Sequence, residues 1–242
     1  MTSTKVLFIA TSHDNIADTT EKTGVWLEEL AVPYYMFKEA GADITLACPG
    51  GGRVPLDPKS QSIILATFIT KRFLKDEEAM NFLSNAIPLE EVSDDDFDVI
   101  FLPGGYGLMW DLANSKNVSR LLEVSYSKNK PIGTTSQGIA CLLSLKNNNG
   151  EALIKGKQLT GISNAEENLS GLKDVTPFLL ESNLLSLGAL YSKGENYLSH
   201  VVEDGNIITG QNPASSKGVA QKIIELVKHN KFIDKLLQPA PN

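Results

Sequence analysis

Short apolar runs alternate along the chain with longer segments in which apolar residues recur at helical spacing. The runs at 5–11, 43–49 and 97–105 are almost continuously apolar, which is typical of strands buried on both faces. Segment 23–41 has helical periodicity, and Pro33 within it predicts a kink or a break. The same pattern predicts helices at 76–86, 117–130, 177–189 and 215–231, and strands at 131–136, 157–163 and within 193–213.

This alternation predicts right-handed βαβ units, and hence an α/β fold with a mostly parallel sheet and helices on both faces. No linker or internal repeat interrupts the pattern, so we expect a single domain over residues 1–242. In such sheets the ligand site lies beyond the carboxyl ends of the strands. The turns at 11–13, 104–105 and 136–137 are therefore expected to converge on one crevice.

Composition and charge narrow the classes of function without identifying a substrate. Of the 242 residues, 42% are hydrophobic and 21% are charged, and the formal net charge is −7. This acidic balance argues against a general binder of nucleic acid or anionic membranes, because such proteins depend on basic side chains. No apolar run reaches the roughly 18 residues that a membrane-spanning helix needs, so no membrane partner is expected.

The cysteines and histidines give no sign of a disulfide framework or a metal centre. Cys48 and Cys141 are too few for such a framework, and we expect both to be buried small hydrophobes. A reducing, cytoplasmic compartment is therefore expected. The three histidines, His13, His200 and His229, show no metal-ligand spacing, so we expect neither a metal nor another cofactor.

Residues 131–143 carry the main candidate chemistry. They have the pattern of a strand, a sharp turn at Ser136-Gln137 and a buried helix. Several enzyme families place a nucleophile on such a turn, where backbone N–H groups can hold an oxyanion. Ser136 is thus a candidate nucleophile, with Glu29 as its base or acid. The alternative, which we favour because no histidine is adjacent, is that Ser136 caps the following helix.

Four further stretches occur in a characteristic order with this turn. They are TGVWLEELAVPYYMFKEAG, CPGGGRVPLDPKS, FLPGGYGLMWDL and HVVEDGNIITGQNPAS. Together they resemble the ThiJ/PfpI superfamily, which is related to class I glutamine amidotransferases, and most closely its heat-shock chaperone and glyoxalase III branch. The resemblance implies a flavodoxin-like α/β sandwich. It also implies activities of that branch: glutathione-independent conversion of methylglyoxal to lactate, deglycation of proteins, and holdase chaperone action.

The resemblance also implies a role for the residues at the turn. Active members carry a cysteine there, followed directly by histidine and glycine. In this chain those positions are Ser136, Gln137 and Gly138. A glutamate of the first helix, which approaches the cysteine sulfur in active members, corresponds to Glu29.

Two further parts of the family site can be placed by resemblance. The turn whose N–H groups contribute to the oxyanion site corresponds to Gly104 and Gly105, followed by Tyr106 where the family often has histidine. An acidic residue that orients the histidine falls at Glu166 or Glu167, and the sequence leaves both open.

The two departures at the turn decide the expected mechanism. A serine hydroxyl needs an adjacent general base, and Gln137 cannot supply one because a carboxamide does not titrate in the useful range. We therefore expect a stress-associated protein without cysteine-dependent catalysis that acts by binding, as a holdase or a small-molecule sensor. The expected partners are a small aldehyde or unfolded client proteins, and a second copy in a homodimer.

Two other hypotheses remain open. The chain is an enzyme, a glyoxalase or hydrolase, if Ser136 and Glu29 retain turnover. It is a structural subunit if it assembles with an active, cysteine-bearing paralogue.

Overall fold

The computed structural model describes residues 3–147 and 149–237. Its strands are β1 (Lys5–Ile9), β2 (Asp43–Cys48), β3 (Ile87–Pro88), β4 (Val99–Leu102), β5 (Ile132–Thr135), β6 (Gln158–Leu159), β7 (Leu190–Tyr191), β8 (Val201–Asp204) and β9 (Ile207–Gly210). Its helices are α1 (Leu27–Glu39), α2 (Phe68–Phe73), α3 (Glu77–Ser84), α4 (Leu108–Asp111), α5 (Lys116–Ser127), α6 (Asn164–Ser170), α7 (Leu180–Ser186) and α8 (Ser216–Leu237). Short 3₁₀ helices occupy Pro58–Gln61, Leu89–Glu91, Ser136–Leu142 and Pro213–Ser215.

The main sheet has the strand order β3-β2-β1-β4-β5-β9-β8. Neighbouring strands run parallel, except that β8 pairs antiparallel with β9. The hairpin between β8 and β9 turns at Asp204-Gly205, where Gly205 has a φ of +62°. The prediction of an α/β, flavodoxin-like fold with a mostly parallel sheet is confirmed.

Alternate residues of β1 enter two apolar layers on opposite faces of the sheet. Val6 and Phe8 pack with α1 and α8, whereas Leu7 and Ile9 pack with α5 and the residues after β5. All four side chains are buried. Burial on both faces explains why the parallel strands read as continuous apolar runs rather than as alternating ones.

Helix α1 runs from Leu27 to Glu39 through Pro33, so of the two expectations, a kink or a break, the break is wrong and the kink stays a prediction. A proline lacks the N–H that would bond to the carbonyl four residues earlier, which costs about 3 kcal/mol inside a helix. Leu30 and Phe37, on either side of Pro33, are both buried in the same apolar layer, and this packing holds the two halves together. The helix ends before Gly41, whose φ of +79° suits a glycine.

Two other expectations need correction. The strand expected at 157–163 is reduced to Gln158–Leu159, which pairs with β7 in a separate two-stranded sheet. The buried helix expected after the turn is a 3₁₀ helix, Ser136–Leu142. Elements this short are set by the neighbouring strands and loops rather than by local periodicity, and β3 and α2 escaped prediction for the same reason.

The longest helix, α8, is amphipathic. Val219 and Ile223 lie in the core, whereas Gln221 and Glu225 are exposed. Over residues 3–147 and 149–237, no helix combines the length and hydropathy needed to cross a bilayer.

Candidate active site

Ser136 lies at the carboxyl end of β5, on a turn that leads directly into a 3₁₀ helix. Its φ is +53°, a left-handed value that is unusual for a residue other than glycine and is often found at functional turns. Gly138 permits the tight turn, because a Cβ there would lie 2.3 Å from the carbonyl oxygen of Leu102. Ser136 is the first residue of the helix, and the preceding Thr135 makes no side-chain cap, so the cap interpretation is wrong.

Glu29 projects from α1 toward this turn and is 1% exposed. Its Oε2 accepts a hydrogen bond from the backbone N–H of Gly104 at 3.0 Å. Burial raises the pKa of Glu29 to about 7, although hydrogen bonds from Thr135, Gly104 and Ser136 act in the opposite direction. Near neutral pH the carboxyl group therefore exists in both protonation states beside the Ser136 hydroxyl.

The Gly104-Gly105 turn follows β4 and packs directly against Glu29 and Ser136. A Cβ on Gly104 would lie 2.4 Å from Oε2 of Glu29 and 2.7 Å from Cβ of Ser136, so only glycine fits. The N–H of Gly105 donates to Oε1 of Gln137 at 3.2 Å. The N–H group expected to hold an oxyanion thus already has an acceptor within the protein.

Glu167, rather than Glu166, is the acid that lies beside Gln137. The Tyr106 hydroxyl donates to Oε2 of Glu167 at 2.7 Å, and Ser170 lies 2.9 Å from the same hydroxyl. Burial raises the pKa of Glu167 to about 7, opposed by hydrogen bonds from Tyr106 and Gln137. Among the described residues, the buried Oε1 of Glu167 has no partner that meets hydrogen-bond geometry.

Glu166 has a different environment, in which donors surround the carboxylate. It accepts bonds of 2.8 Å from the Tyr197 N–H, 2.9 Å from Asn212 and 2.9 Å from Gln211. Ser163 donates to Glu166 through its N–H at 3.1 Å and its hydroxyl at 2.8 Å, and the Glu166 N–H donates back to the Ser163 Oγ at 3.1 Å, which completes a capping box at the start of α6. Burial alone would raise the pKa of Glu166, but these bonds outweigh it and the pKa lies below its usual value.

Ser136, Gln137 and Glu29 form part of the wall of a cavity of about 480 Å³. Tyr197 lies on the same wall and has a φ of +62°, held there by the bond from its N–H to Glu166. A groove of about 560 Å³ between α1, β2 and α3 is larger but contains none of the candidate residues. The apolar part of the cavity wall includes Trp26, Leu65, Ile162, Leu172, Tyr197 and Pro213.

Sequence reasoning missed Gln211, Asn212 and Tyr197. Gln211 and Asn212 directly follow β9, which runs parallel to β5, so their polar side chains reach the same edge of the sheet. Applying the carboxyl-end rule to this strand as well would have found them. Tyr197 lies in an irregular loop and carries no comparable signal.

The turn at 11–13, expected at the same crevice, does not line the cavity. Asp111 ties it to α4 instead, accepting bonds from the Thr11 hydroxyl at 2.8 Å and the Ser12 N–H at 2.7 Å. The His13 ring stacks on Trp110 at a centroid distance of 5.2 Å.

The two cysteines are buried and free, as expected. Burial strongly raises the pKa of Cys141, so its thiol does not take the place of a nucleophile at the Ser136 turn. Within the ranges that the structure covers, no three His, Cys, Asp or Glu side chains are grouped so that they could hold a metal ion.

The chain resembles known proteins in both sequence and structure. The model of the DJ-1/PfpI family matches residues 16–226. A glutathione-independent glyoxalase of Schizosaccharomyces pombe is 27% identical, over 92% of this chain and 95% of its own. The crystal structure of Candida albicans glyoxalase III has 27% identity and a TM-score of 0.85, covering 92% of this chain and 96% of that one.

A second solved structure is more similar in sequence. The Rapid Encystment Protein of Francisella tularensis has 39% identity and a TM-score of 0.87, over 92% of this chain and 98% of that one. These proteins match nearly the full length of the chain, and the family model covers most of it. The chain belongs to the DJ-1/PfpI family, and its homologues include glutathione-independent glyoxalases.

Proposed function

We propose that this protein is a member of the glyoxalase III branch that has lost cysteine-dependent catalysis and acts by binding. The side chain of Gln137 is the observation that carries this proposal. Its Oε1 accepts the bond from the Gly105 N–H, so it takes up a donor that would otherwise stabilise an oxyanion. A carboxamide also cannot accept and return a proton near neutral pH, as a histidine at that position would.

The neighbouring residue supports the same proposal. A thiol can be converted to a thiolate near neutral pH by a favourable site, whereas the hydroxyl of Ser136 cannot. In the absence of a histidine, the candidate base is Glu29, which hydrogen-bonds the Ser136 hydroxyl. The ligand would be a small aldehyde or another small molecule in the cavity, or the surface would hold an unfolded client.

A second candidate function is favoured by the contact between Glu29 and Ser136. A carboxyl group with a pKa of about 7 that hydrogen-bonds a serine hydroxyl is suited to moving a proton at neutral pH. In this alternative the protein converts methylglyoxal to lactate without glutathione, or acts as a hydrolase, with Ser136 and Glu29 performing the chemistry.

Turnover of methylglyoxal, followed by lactate formation, separates the two functions. We expect the wild type to match Ser136→Ala at the background rate. Ser127→Ala, which removes an exposed hydroxyl on α5, is the matched control. If the wild type turns over and Ser136→Ala, but not Ser127→Ala, loses more than about 100-fold in rate, the binding proposal is wrong.

The double variant Ser136→Cys/Gln137→His tests whether the rest of the site is intact. A histidine at 137 would free the Gly105 N–H and could donate to the buried Oε1 of Glu167, for which no described residue meets hydrogen-bond geometry. We therefore expect the double variant to gain turnover, and the further change Glu167→Gln to reduce that gain.

Holdase action and dimer formation need separate measurements. Suppression of the aggregation of a denatured model enzyme should be equal in the wild type and Ser136→Ala, because it does not depend on the turn. The homodimer proposal predicts twice the chain mass in light scattering after size-exclusion chromatography, and a mass of one chain contradicts it. Co-purification with a cysteine-bearing relative would favour the structural-subunit hypothesis instead.

A further inference from the structure

The cavity at Ser136 is much larger than the three-carbon substrate of a glyoxalase requires. Its volume of about 480 Å³ lies within the roughly 300–1,000 Å³ of sites that hold larger ligands. Trp26 and Tyr197 give it aromatic wall area, and Leu65, Ile162 and Leu172 add aliphatic area. This composition suits a ligand with an apolar body of at least one ring.

The charged groups around the cavity are mostly acidic. Four carboxyl groups line it, those of Glu28, Glu29, Asp57 and Glu166, against the single cation of Lys59 among the described residues. Lys59 is already paired with Glu21, which lies outside the cavity wall, at 3.3 Å. A carboxylate or phosphate would therefore enter against an unfavourable field.

The four carboxyl groups differ in whether they already have partners. Asp57 accepts from Thr23 at 2.9 Å, and Glu29 and Glu166 accept the bonds described above. Glu28 is half-buried, and no hydrogen bond or ion pair joins it to any described residue. Burial raises the pKa of Glu28.

The two backbone donors of the expected anion site are used within the protein. Gln137 occupies the Gly105 N–H, and the Gly104 N–H donates to Glu29. The cavity thus retains an unpaired acceptor at Glu28 but has lost its expected anion site. A bound ligand must supply the missing donor and positive charge.

We propose that the cavity binds an organic ammonium ion, a protonated amine carried on an aromatic or branched apolar body. The ammonium group pairs with Glu28, and the apolar body lies against Trp26, Tyr197 and the aliphatic wall. Aromatic rings add to the attraction, because their faces are electronegative. This inference deepens the proposed binding function and rests on it, since it assigns the ligand of the same cavity.

Equilibrium titration by calorimetry, with three probes of nearly equal shape, tests the charge requirement. The probes are 2-phenylethylammonium, 2-phenylethanol and 3-phenylpropionate. We expect the ammonium to bind about tenfold more tightly than the alcohol, which corresponds to about 1.4 kcal/mol. The propionate should bind most weakly of the three.

Glu28→Gln should weaken ammonium binding about tenfold and leave alcohol binding unchanged. Glu39→Gln is the matched control, because Glu39 is exposed on the same helix and pairs with Arg72. Equal binding of the ammonium and the alcohol, no binding of any probe, or equal effects of the two substitutions would overturn the proposal. The calorimetric titration does not measure turnover. Ser136-dependent catalysis would therefore refute the proposed function without deciding whether the cavity binds an ammonium ion.

Discussion

At the scale of single residues, the site depends on how closely two backbone turns and one carboxyl group approach each other. At Gly104, both Glu29 and Ser136 lie closer to the position of the missing Cβ than van der Waals contact allows. The Thr135 carbonyl oxygen would lie 2.8 Å from that atom as well. Two of these neighbours are backbone or first side-chain atoms and cannot rotate away.

Gly104→Ala should therefore destabilise the fold and displace Glu29. We expect a loss of about 1–3 kcal/mol in the free energy of unfolding, as overpacked sites commonly show, measured by urea denaturation. Gly41→Ala is the control, because no atom of a described residue lies within 4 Å of its missing Cβ, so a side chain there would be strained only by the φ of +79°. That change should cost about 1 kcal/mol, and an equal loss in both variants would contradict the steric explanation.

Sequence reasoning identified several residues of the site but not their hydrogen-bond partners. Ser136, Glu29 and Gly104 were brought together by resemblance and by the carboxyl-end rule, and the structure places them in contact. Glu166 and Glu167 could not be separated, because they are adjacent in sequence and differ only in the direction each side chain takes from α6. Their contrasting environments depend on residues up to 61 positions away.

At the scale of secondary-structure elements, α6 joins the cavity to the far end of the sheet. The carboxylate of Glu166, which accepts from the capping residue Ser163, also accepts bonds from Gln211 after β9 and from Tyr197 in the loop before β8. One buried anion thus fixes the relative positions of three segments. The long elements were predictable because their periodicity is local, whereas this junction depends on contacts between distant segments.

Glu166→Gln should weaken that junction. The amide keeps one acceptor oxygen but places an NH₂ group against donors, so we expect a loss of about 3 kcal/mol in unfolding free energy. Hydrogen exchange at the Tyr197 amide should accelerate, because its acceptor is weakened. Glu167→Gln is the control at the next position, and should cost less because Glu167 is already partly protonated at neutral pH. Equal losses would contradict the assigned roles.

At the scale of the whole molecule, the acidic composition and the buried carboxyl groups act together on stability. The net charge of −7 disfavours the compact state as more carboxylates ionise. Glu29 and Glu167 are buried, and the pKa of each is raised from 4.5 to about 7. Between these values the native chain binds more protons than the unfolded chain does.

The unfolding free energy should therefore fall as the pH rises from about 5 to about 8. Each of the two carboxyl groups contributes up to about 3 kcal/mol, fully present below pH 4.5 and lost as the pH passes through 7. Groups whose pKa is lowered, such as Glu166, oppose this only at more acidic pH, so maximum stability is expected near pH 5. Urea denaturation across this range measures the slope.

Substitution of the two carboxyl groups assigns the slope to its source. Glu29→Gln and Glu167→Gln should each flatten the decline between pH 5 and pH 8, and together they should remove most of it, because glutamine does not titrate. Glu39→Gln, on an exposed position, should leave the slope unchanged. If the double variant declines as steeply as the wild type, Glu29 and Glu167 are ionised in the native state. Proton exchange between Glu29 and the Ser136 hydroxyl would then lose its physical basis.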